Sequence, residues 1–295
     1  MIMAAAAAEW ISEPSLRVNA RRAPGSPGAL LFRQTHRRRT LPGVIDHVEA
    51  IRRESARFSE CIRDGDPRAP VPSCPDWDLA DLAWHLGEVQ GYWATIAADL
   101  LLDPSSVPTP TRPPDSDLPA FFDEQSARLI DAASRHPAQA RCWTWDDDGW
   151  TVGWVRRRQA HEALIHRVDA ELAIGNRTAV DEELAADGVH ELLYTQVDGV
   201  PDWATFIADE ATATISIDDG PSYGLRFGRI VGTGPESGTE YDFDSFLVAE
   251  PSGPVISGSA VAMDLWLWGR AGTGIRCDDE KLLSRIRAIV AEATQ

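Results

Sequence analysis

A helical spacing of apolar residues is the feature of this sequence that most restricts its fold. It extends over residues 44–58 and 79–96, and residues 118–135 and 152–174 are also typical of helices. Because this spacing places apolar side chains on one face, each helix has to bury that face against a neighbour. Four helices of this length joined by loops predict an all-α, antiparallel four-helix bundle, where sites are built from facing side chains in the core.

Capping residues predict where two of these helices begin and end. Asp78 can cap the start of the second helix, with Asp81 at its third position, and this helix is expected to end near Leu102. Gly175 follows the fourth helix and is typical of a helix C-terminus.

The chain changes character after a further predicted helix over residues 181–198. Thr and apolar residues alternate in segments separated by Asp-Asp-Gly and Gly/Pro turns, which is typical of strands. We therefore predict a small α+β domain after the helices. Its expected elements are strands over residues 211–217, 223–231, 241–248 and 274–277, and helices over residues 259–268 and 279–293.

Residues 1–40 differ in composition from the rest of the chain. They hold seven arginines and two glutamates, a net charge of +5, so the other 255 residues carry −23 within the total of −18. We interpret them as a disordered extension, with an interaction tail as the alternative. The predicted organisation is this extension, a helical domain over residues 41–200 and an α+β domain over residues 201–295.

The negative charge of the chain excludes some classes of partner. At −18, a general nucleic-acid binder is disfavoured, because such binding needs lysines and arginines against phosphates. Attraction to an anionic membrane surface is disfavoured for the same reason. No apolar run approaches the roughly 18 residues of a membrane helix, and the N-terminus makes a poor signal peptide, so we expect a cytoplasmic protein.

His85, Glu162 and His166 are the candidate metal ligands. Glu162 and His166 are one turn apart on one face of the fourth helix, and His85 lies on the inward side of the second helix. If these helices face each other, the three side chains converge and suit a divalent metal, with zinc expected and coordination positions left open. Asp169 could orient His166. The alternative is a surface Glu/His pair and a core histidine without a metal.

Two nearby residues leave alternatives open. His161 precedes Glu162, but the zinc-protease spacing needs a second histidine at position 165, which is Ile165, so His161 is expected to be exposed or at a helix interface. Arg270 follows an apolar helix. It either caps helix carbonyls or lies at a pocket rim, where its guanidinium would bind an anionic substrate.

Four stretches of the chain together carry a family resemblance over about residues 44–295. They are Val71-Pro-Ser-Cys-Pro-Asp-Trp-Asp-Leu-Ala-Asp-Leu-Ala-Trp-His85-Leu-Gly, Arg158-Gln-Ala-His-Glu-Ala-Leu-Ile-His-Arg-Val-Asp-Ala-Glu171, Asp187-Gly-Val-His-Glu191 and Leu265-Trp-Leu-Trp-Gly-Arg270. With them the sequence resembles the mycothiol-dependent maleylpyruvate isomerase family of actinobacteria. The resemblance implies a DinB/YfiT-like metal-binding bundle followed by a domain similar to sterol carrier protein 2.

The resemblance also implies a site and a reaction. His85, Glu162 and His166 match the metal triad of the family, and Arg270 matches its important arginine. A metal would lower the pKa of the thiol cosubstrate mycothiol, and the thiolate would isomerise the cis double bond of maleylpyruvate, an anionic substrate, or act on an electrophile as an S-transferase. The alternatives are a non-catalytic metal- or small-ligand-binding protein and a carrier of apolar ligands.

Overall fold

Four long helices form the first part of the chain in the computed structural model, which describes residues 45–146, 149–235, 237–270 and 272–294. Helix α1 packs against α4 and α3, and α2 packs against α3 and α4. None of the described helices is both long and apolar enough to span a membrane. The helices are α1 (His47–Asp64), α2 (Leu79–Asp99), α3 (Leu118–Arg135) and α4 (Val152–Ile174).

Side-chain caps explain these helix boundaries. Asp78 accepts a hydrogen bond from the backbone N–H of Asp81, and the Asp81 carboxylate accepts one from the N–H of Asp78, so both predicted capping residues are confirmed. Helix α2 ends at Asp99, earlier than predicted, because Leu100 adopts a left-handed conformation. Gly175 ends α4 with a φ of 68°, as expected for a C-terminal glycine.

Helix α1 is the one whose predicted bounds differ most. It begins after Asp46, whose carboxylate caps the first turn, and continues to Asp64, six residues beyond the predicted end at residue 58. Residues 1–44, which include the predicted extension and the first residue of the predicted helix, lie outside the described residues.

A small sheet domain forms the second part of the chain. Helix α5 precedes it and continues directly into a π-helical segment, where a single helix to residue 198 was predicted. The strands lie in the order β3-β2-β1-β4, with β4 parallel to β1 and the other pairs antiparallel. These elements are α5 (Glu182–Glu191), the π segment (Leu192–Val197), β1 (Ala204–Ile217), β2 (Ser222–Thr233), β3 (Glu240–Ala249), β4 (Val255–Gly258), α6 (Ala260–Leu267) and α7 (Glu280–Ala293).

Three features of the sheet differ from the prediction. Residues 274–277 are not a strand, since only Arg276 forms an isolated bridge, with Ser257 of β4. Strand β4 itself was missed, and β1 begins at Ala204, seven residues before the predicted start. A bulge between Ala208 and Thr212 interrupts β1, and the residues before it are largely exposed, so apolar alternation marks only its second half.

A tight turn brings the chain after α6 back towards the helical part. Gly269 adopts a φ of 81°, which favours glycine, and the N–H of Arg270 bonds to the carbonyl of Leu265. This turn directs the Arg270 side chain to Asp169 of α4, so a buried ion pair joins the two parts of the chain.

Truncating Phe122 tests the packing of the helices. Phe122 of α3 is fully buried and its ring lies 4.7 Å from that of Phe58 in α1. Because alanine leaves the space of the phenyl ring empty, Phe122→Ala should lower the free energy of unfolding by about 3–5 kcal/mol. Urea denaturation measures this loss. The half-buried neighbour Phe121 serves as control, and an equally large loss in Phe121→Ala would contradict the assigned core.

Candidate metal centre

Two imidazoles and one carboxylate meet between α2 and α4. The Nε2 atom of His166 lies 3.2 Å from Oε1 of Glu162, and Nε2 of His85 lies 3.6 Å from the same oxygen. One ligand atom from each residue lies within 4.8 Å of the other two. The structure thus brings together the three residues singled out from the sequence, with their ligand atoms facing a common point.

Neighbouring side chains hold both imidazoles in place. The ring of His85 packs against Trp77, with 4.8 Å between the ring centres. Nδ1 of His166 lies 3.0 Å from Oδ2 of Asp169, so a proton on Nδ1 leaves the Nε2 lone pair directed at Glu162. Asp169 therefore lies where the spacing predicted, and the hydroxyl of Ser73 donates a further hydrogen bond to it.

Arg158 neutralises the carboxylate of Glu162. It lies one turn before Glu162 on α4, is 4% exposed, and bonds Glu162 and both carboxylate oxygens of Glu191 in α5. Burial alone would raise the pKa of Glu162, but the charge of Arg158 and hydrogen bonds to the two histidines hold it well below its usual range. Glu162 is therefore ionised, the state that a ligand requires.

The two histidines differ in their readiness to accept a proton. Burial lowers the pKa of His85, and it outweighs the opposing hydrogen bond to Glu162. Burial acts in the same direction on His166, but hydrogen bonds to Asp169 and Glu162 outweigh it and raise the pKa of His166 to about 9. A cation that binds the cluster at neutral pH therefore has to displace a proton from His166.

Arg270 lies at this cluster with one face of its guanidinium already engaged. Its Nε and Nη2 atoms donate to the two oxygens of Asp169 at 2.8 and 2.6 Å, and Nη1 donates to the carbonyl of Trp268. Of its five N–H groups, two remain for another acceptor. The structure thus combines a carbonyl contact at the helix end with a position beside the candidate ligands.

A second cluster of similar composition was not predicted. His47 of α1, His161 of α4 and Asp187 of α5 each offer a ligand atom within 4.8 Å of the others, and Arg157 bonds the same carboxylate. His161 is 1% exposed at this junction of three helices, so the helix-interface alternative is confirmed and the exposed one is wrong. Because the three candidate ligands come from separate elements, no spacing within one helix could reveal them.

Asp264 is a further polar residue that sequence reasoning missed. It is 1% exposed in α6, and burial raises the pKa of its carboxyl well above the usual range, which favours the protonated form. A Cβ atom at Gly188 of α5 would lie 2.9 Å from Oδ1 of Asp264, so the close approach of these helices needs glycine there. The sequence did carry a signal for this residue, because Asp264 is an acidic residue within an otherwise apolar helix.

Comparisons with known proteins agree with this architecture. Residues 48–171 match the family model of the mycothiol maleylpyruvate isomerase N-terminal domain. Two similar solved structures are the mycothiol-dependent maleylpyruvate isomerase and a histidine-to-alanine mutant of it. The first is 14% identical with a TM-score of 0.51, and the mutant is 13% identical with a TM-score of 0.50. Each match covers 79% of this chain and 91% of the solved chain.

These matches establish the fold. At such identities the likeness shows a helical N-terminal region followed by a small sheet domain, as in the solved isomerase. No curated protein matches the chain.

Replacing Arg158 by methionine tests the buried charges. The variant leaves Glu162 and Glu191 buried without their cation, so the metal-free protein should lose about 3–5 kcal/mol of unfolding free energy at pH 7. The folded-state pKa of Glu162 in the wild type lies below its unfolded value, so its stabilising contribution is complete above about pH 4.3 and is lost only as the pH falls through that lower folded-state pKa. Without Arg158, burial raises the pKa of Glu162 instead, so the carboxylate of the variant takes up a proton first and the difference between wild type and variant should shrink from pH 7 to pH 4.

Urea denaturation at several pH values, in the presence of a chelator, measures this difference. Arg135→Met is the control, because Arg135 is exposed and pairs with Asp131 one turn earlier. Its effect should stay within about 0.5 kcal/mol. A loss in Arg158→Met that is equal at pH 7 and pH 4 would show that packing, and not charge, is what Arg158 contributes.

Proposed function

Because residues 48–171 match the family model of the mycothiol maleylpyruvate isomerase N-terminal domain, we propose that this chain is a metal-dependent enzyme that uses mycothiol. The proposed reaction is the cis-trans isomerisation of maleylpyruvate or a related thiol addition or transfer. The observation that carries the proposal is the convergence of His85 and His166 Nε2 on one carboxylate oxygen of Glu162. The substrate comes from the family, since no residue of the site specifies it.

The three residues fit a divalent metal. A tetrahedral zinc ion with bonds of about 2.0–2.1 Å separates its ligands by about 3.3 Å. The 3.2 and 3.6 Å separations of the nitrogens from Glu162 Oε1 lie close to that value. Neutral imidazole and ionised carboxylate are also ligand types that zinc binds. Three protein ligands would leave a position open for a thiol, as in catalytic rather than structural zinc sites.

The metal would lower the pKa of a bound thiol, so that a thiolate nucleophile exists at neutral pH. Around it, Arg158 keeps Glu162 ionised, and Asp169 keeps His166 Nε2 directed at the site. Trp77 packs against the ring of His85 and limits its rotation.

The proposed chemistry needs a nucleophile and a cation. A thiol held at the candidate metal centre would supply the nucleophile: it would add to one carbon of the cis double bond, with the electron pair taken up by the adjacent carbonyl, allow rotation about the resulting single bond and leave again unchanged. In this proposal Arg270 binds a substrate carboxylate or the negative charge that develops on the carbonyl, through its two remaining N–H groups.

The proposal includes a finer description of the fold and setting. We propose that the helices form a DinB/YfiT-like four-helix bundle and that the sheet domain is similar to sterol carrier protein 2. The proposed division is an extension at residues 1–40 and domains at 41–200 and 201–295. The proposed setting is the cytoplasm of an actinobacterium, with a small anionic or electrophilic substrate and no nucleic acid.

Metal content tests the assigned ligands. His85→Ala and His166→Ala should each retain one equivalent of zinc less than the wild type, because each loses a ligand from a three-ligand site. Elemental analysis after dialysis measures this. His136→Ala is the matched control, since the imidazole of His136 bonds the backbone carbonyl of Ala98 and belongs to neither histidine cluster, and its zinc content should not change. Full zinc content in both ligand variants would overturn the assignment.

Turnover tests the proposed reaction. The zinc-loaded protein, mixed with mycothiol and maleylpyruvate, should form the trans isomer fumarylpyruvate, followed by chromatography, and omission of mycothiol should abolish the reaction. A panel of electrophiles with mycothiol tests the transferase form. Metal binding without turnover in either assay would favour the non-catalytic binding protein.

Replacing Arg270 tests its role towards the substrate. Arg270→Ala should lower kcat/KM by about 10²-fold or more, because a cation facing the developing negative charge is lost. Arg285→Ala is the control, since Arg285 pairs with Asp209 and Asp244 on the sheet. Wild-type activity and substrate affinity in Arg270→Ala would leave Arg270 only its contacts with Asp169 and the helix end.

A further inference from the structure

We propose that His47, His161 and Asp187 form a second divalent-metal site, separate from the first. Adjacent residues of an α-helix are about 100° apart, so His161 and Glu162 lie on different faces of α4. Glu162 faces His85 of α2, whereas His161 faces His47 of α1 and Asp187 of α5. The proposal goes beyond the proposed function, since neither the reaction nor the first site requires it.

The number of nitrogen atoms around one oxygen carries the inference. Oδ2 of Asp187 lies 3.0 Å from Nε2 of His47, 2.9 Å from Nε2 of His161 and 2.9 Å from Nε of Arg157. A carboxylate oxygen has two lone pairs, so three N–H groups would have to share them, which weakens each hydrogen bond. A cation between the two imidazoles removes the conflict. Oδ2 then gives one lone pair to the cation and one to Arg157, and each Nε2 gives its lone pair to the cation.

The tautomer of His161 is compatible with this role. Its Nδ1 atom is buried and bonds no other residue among those that the structure describes. Without a metal, Nε2 donates to Asp187 Oδ2, whereas a metal bound between them would take the Nε2 lone pair and leave the proton on Nδ1, at which no described N–H group points. Arg157 holds the Asp187 carboxylate by both oxygens, so the carboxylate is ionised and fixed in orientation.

The two clusters follow the same plan. Each has two imidazole Nε2 atoms facing one carboxylate oxygen, and in each an arginine of α4 bonds that carboxylate. The nitrogen–oxygen separations of 2.9 and 3.0 Å lie between the ligand spacings of an octahedral ion, about 2.9 Å, and a tetrahedral one, about 3.3 Å. Two histidines and one carboxylate suit zinc and other divalent transition metals.

The position of the cluster indicates a structural role. The side chains of His47 and Asp187 are 21% and 12% exposed, so an ion can enter and water can complete its coordination. His47 is the first residue of α1, and Asp187 lies in α5, which leads into the sheet domain. An ion bound there would fix the start of α1 and the middle of α5 to α4.

Zinc stoichiometry tests the second site against the first. Elemental analysis after dialysis should give two equivalents for the wild type, one for His47→Ala, one for His85→Ala and none for the double variant. His136→Ala should retain two. A wild-type content in His47→Ala would overturn the second site and leave a hydrogen-bonded cluster. Because His85→Ala reports on the first site separately, failure of either site is seen without the other.

Thermal unfolding keeps the test valid if a variant folds poorly. Chelator-treated His85→Ala protein should unfold at a higher temperature once zinc is added, since only the second site remains to bind it. The same addition should have no effect when His47→Gln is combined with His85→Ala, while the two chelated proteins should have the same circular dichroism. An equal zinc response in both proteins would overturn the proposal.

Discussion

Pairing of buried charges along α4 is the constraint on which the rest of this structure depends. Arg158, Arg167 and Asp169 are all nearly excluded from water, and each is bonded to a charge of opposite sign on another element. A buried charge that loses its partner costs about 3–5 kcal/mol, more than most single contacts contribute. The partners therefore fix how neighbouring segments lie around α4. Glu54 of α1 pairs with Arg167, and Glu191 of α5 pairs with Arg158.

The same pairing makes the candidate metal centre depend on the sheet domain. Asp169 orients His166 from within α4, but its charge is balanced by Arg270, which follows α6. Trp268 lies beside both guanidiniums, 5.6 Å from that of Arg158 and 5.9 Å from that of Arg270. One indole ring of the second domain thus contacts the two arginines that hold Glu162 and Asp169. The helical part contains the ligands, and the sheet domain supplies part of what keeps them charged and oriented.

Local signals in the sequence predicted the helices and the grouping of His85, Glu162 and His166. Capping by Asp78 and the one-turn spacing of Glu162 and His166 depend only on neighbouring residues, and the structure shows both. The missed features depend on residues far apart in the chain. Strand β4 has four residues and pairs across the sheet with β1, and the second cluster joins His47 to Asp187, 140 residues later. Neither periodicity nor composition carries information about such contacts.

The contact between α4 and α5 explains the residue types of the short motif Asp187-Gly-Val-His-Glu191. Asp187 and Glu191 are one turn apart on α5, and they pair with the adjacent residues Arg157 and Arg158 of α4. Gly188, between them, leaves room for Asp264 of α6. Since Arg158 also bonds Glu162, while Asp187 meets His47 and His161, one contact between α4 and α5 supports both histidine clusters. A change in how α5 lies on α4 would therefore alter the geometry of both clusters together.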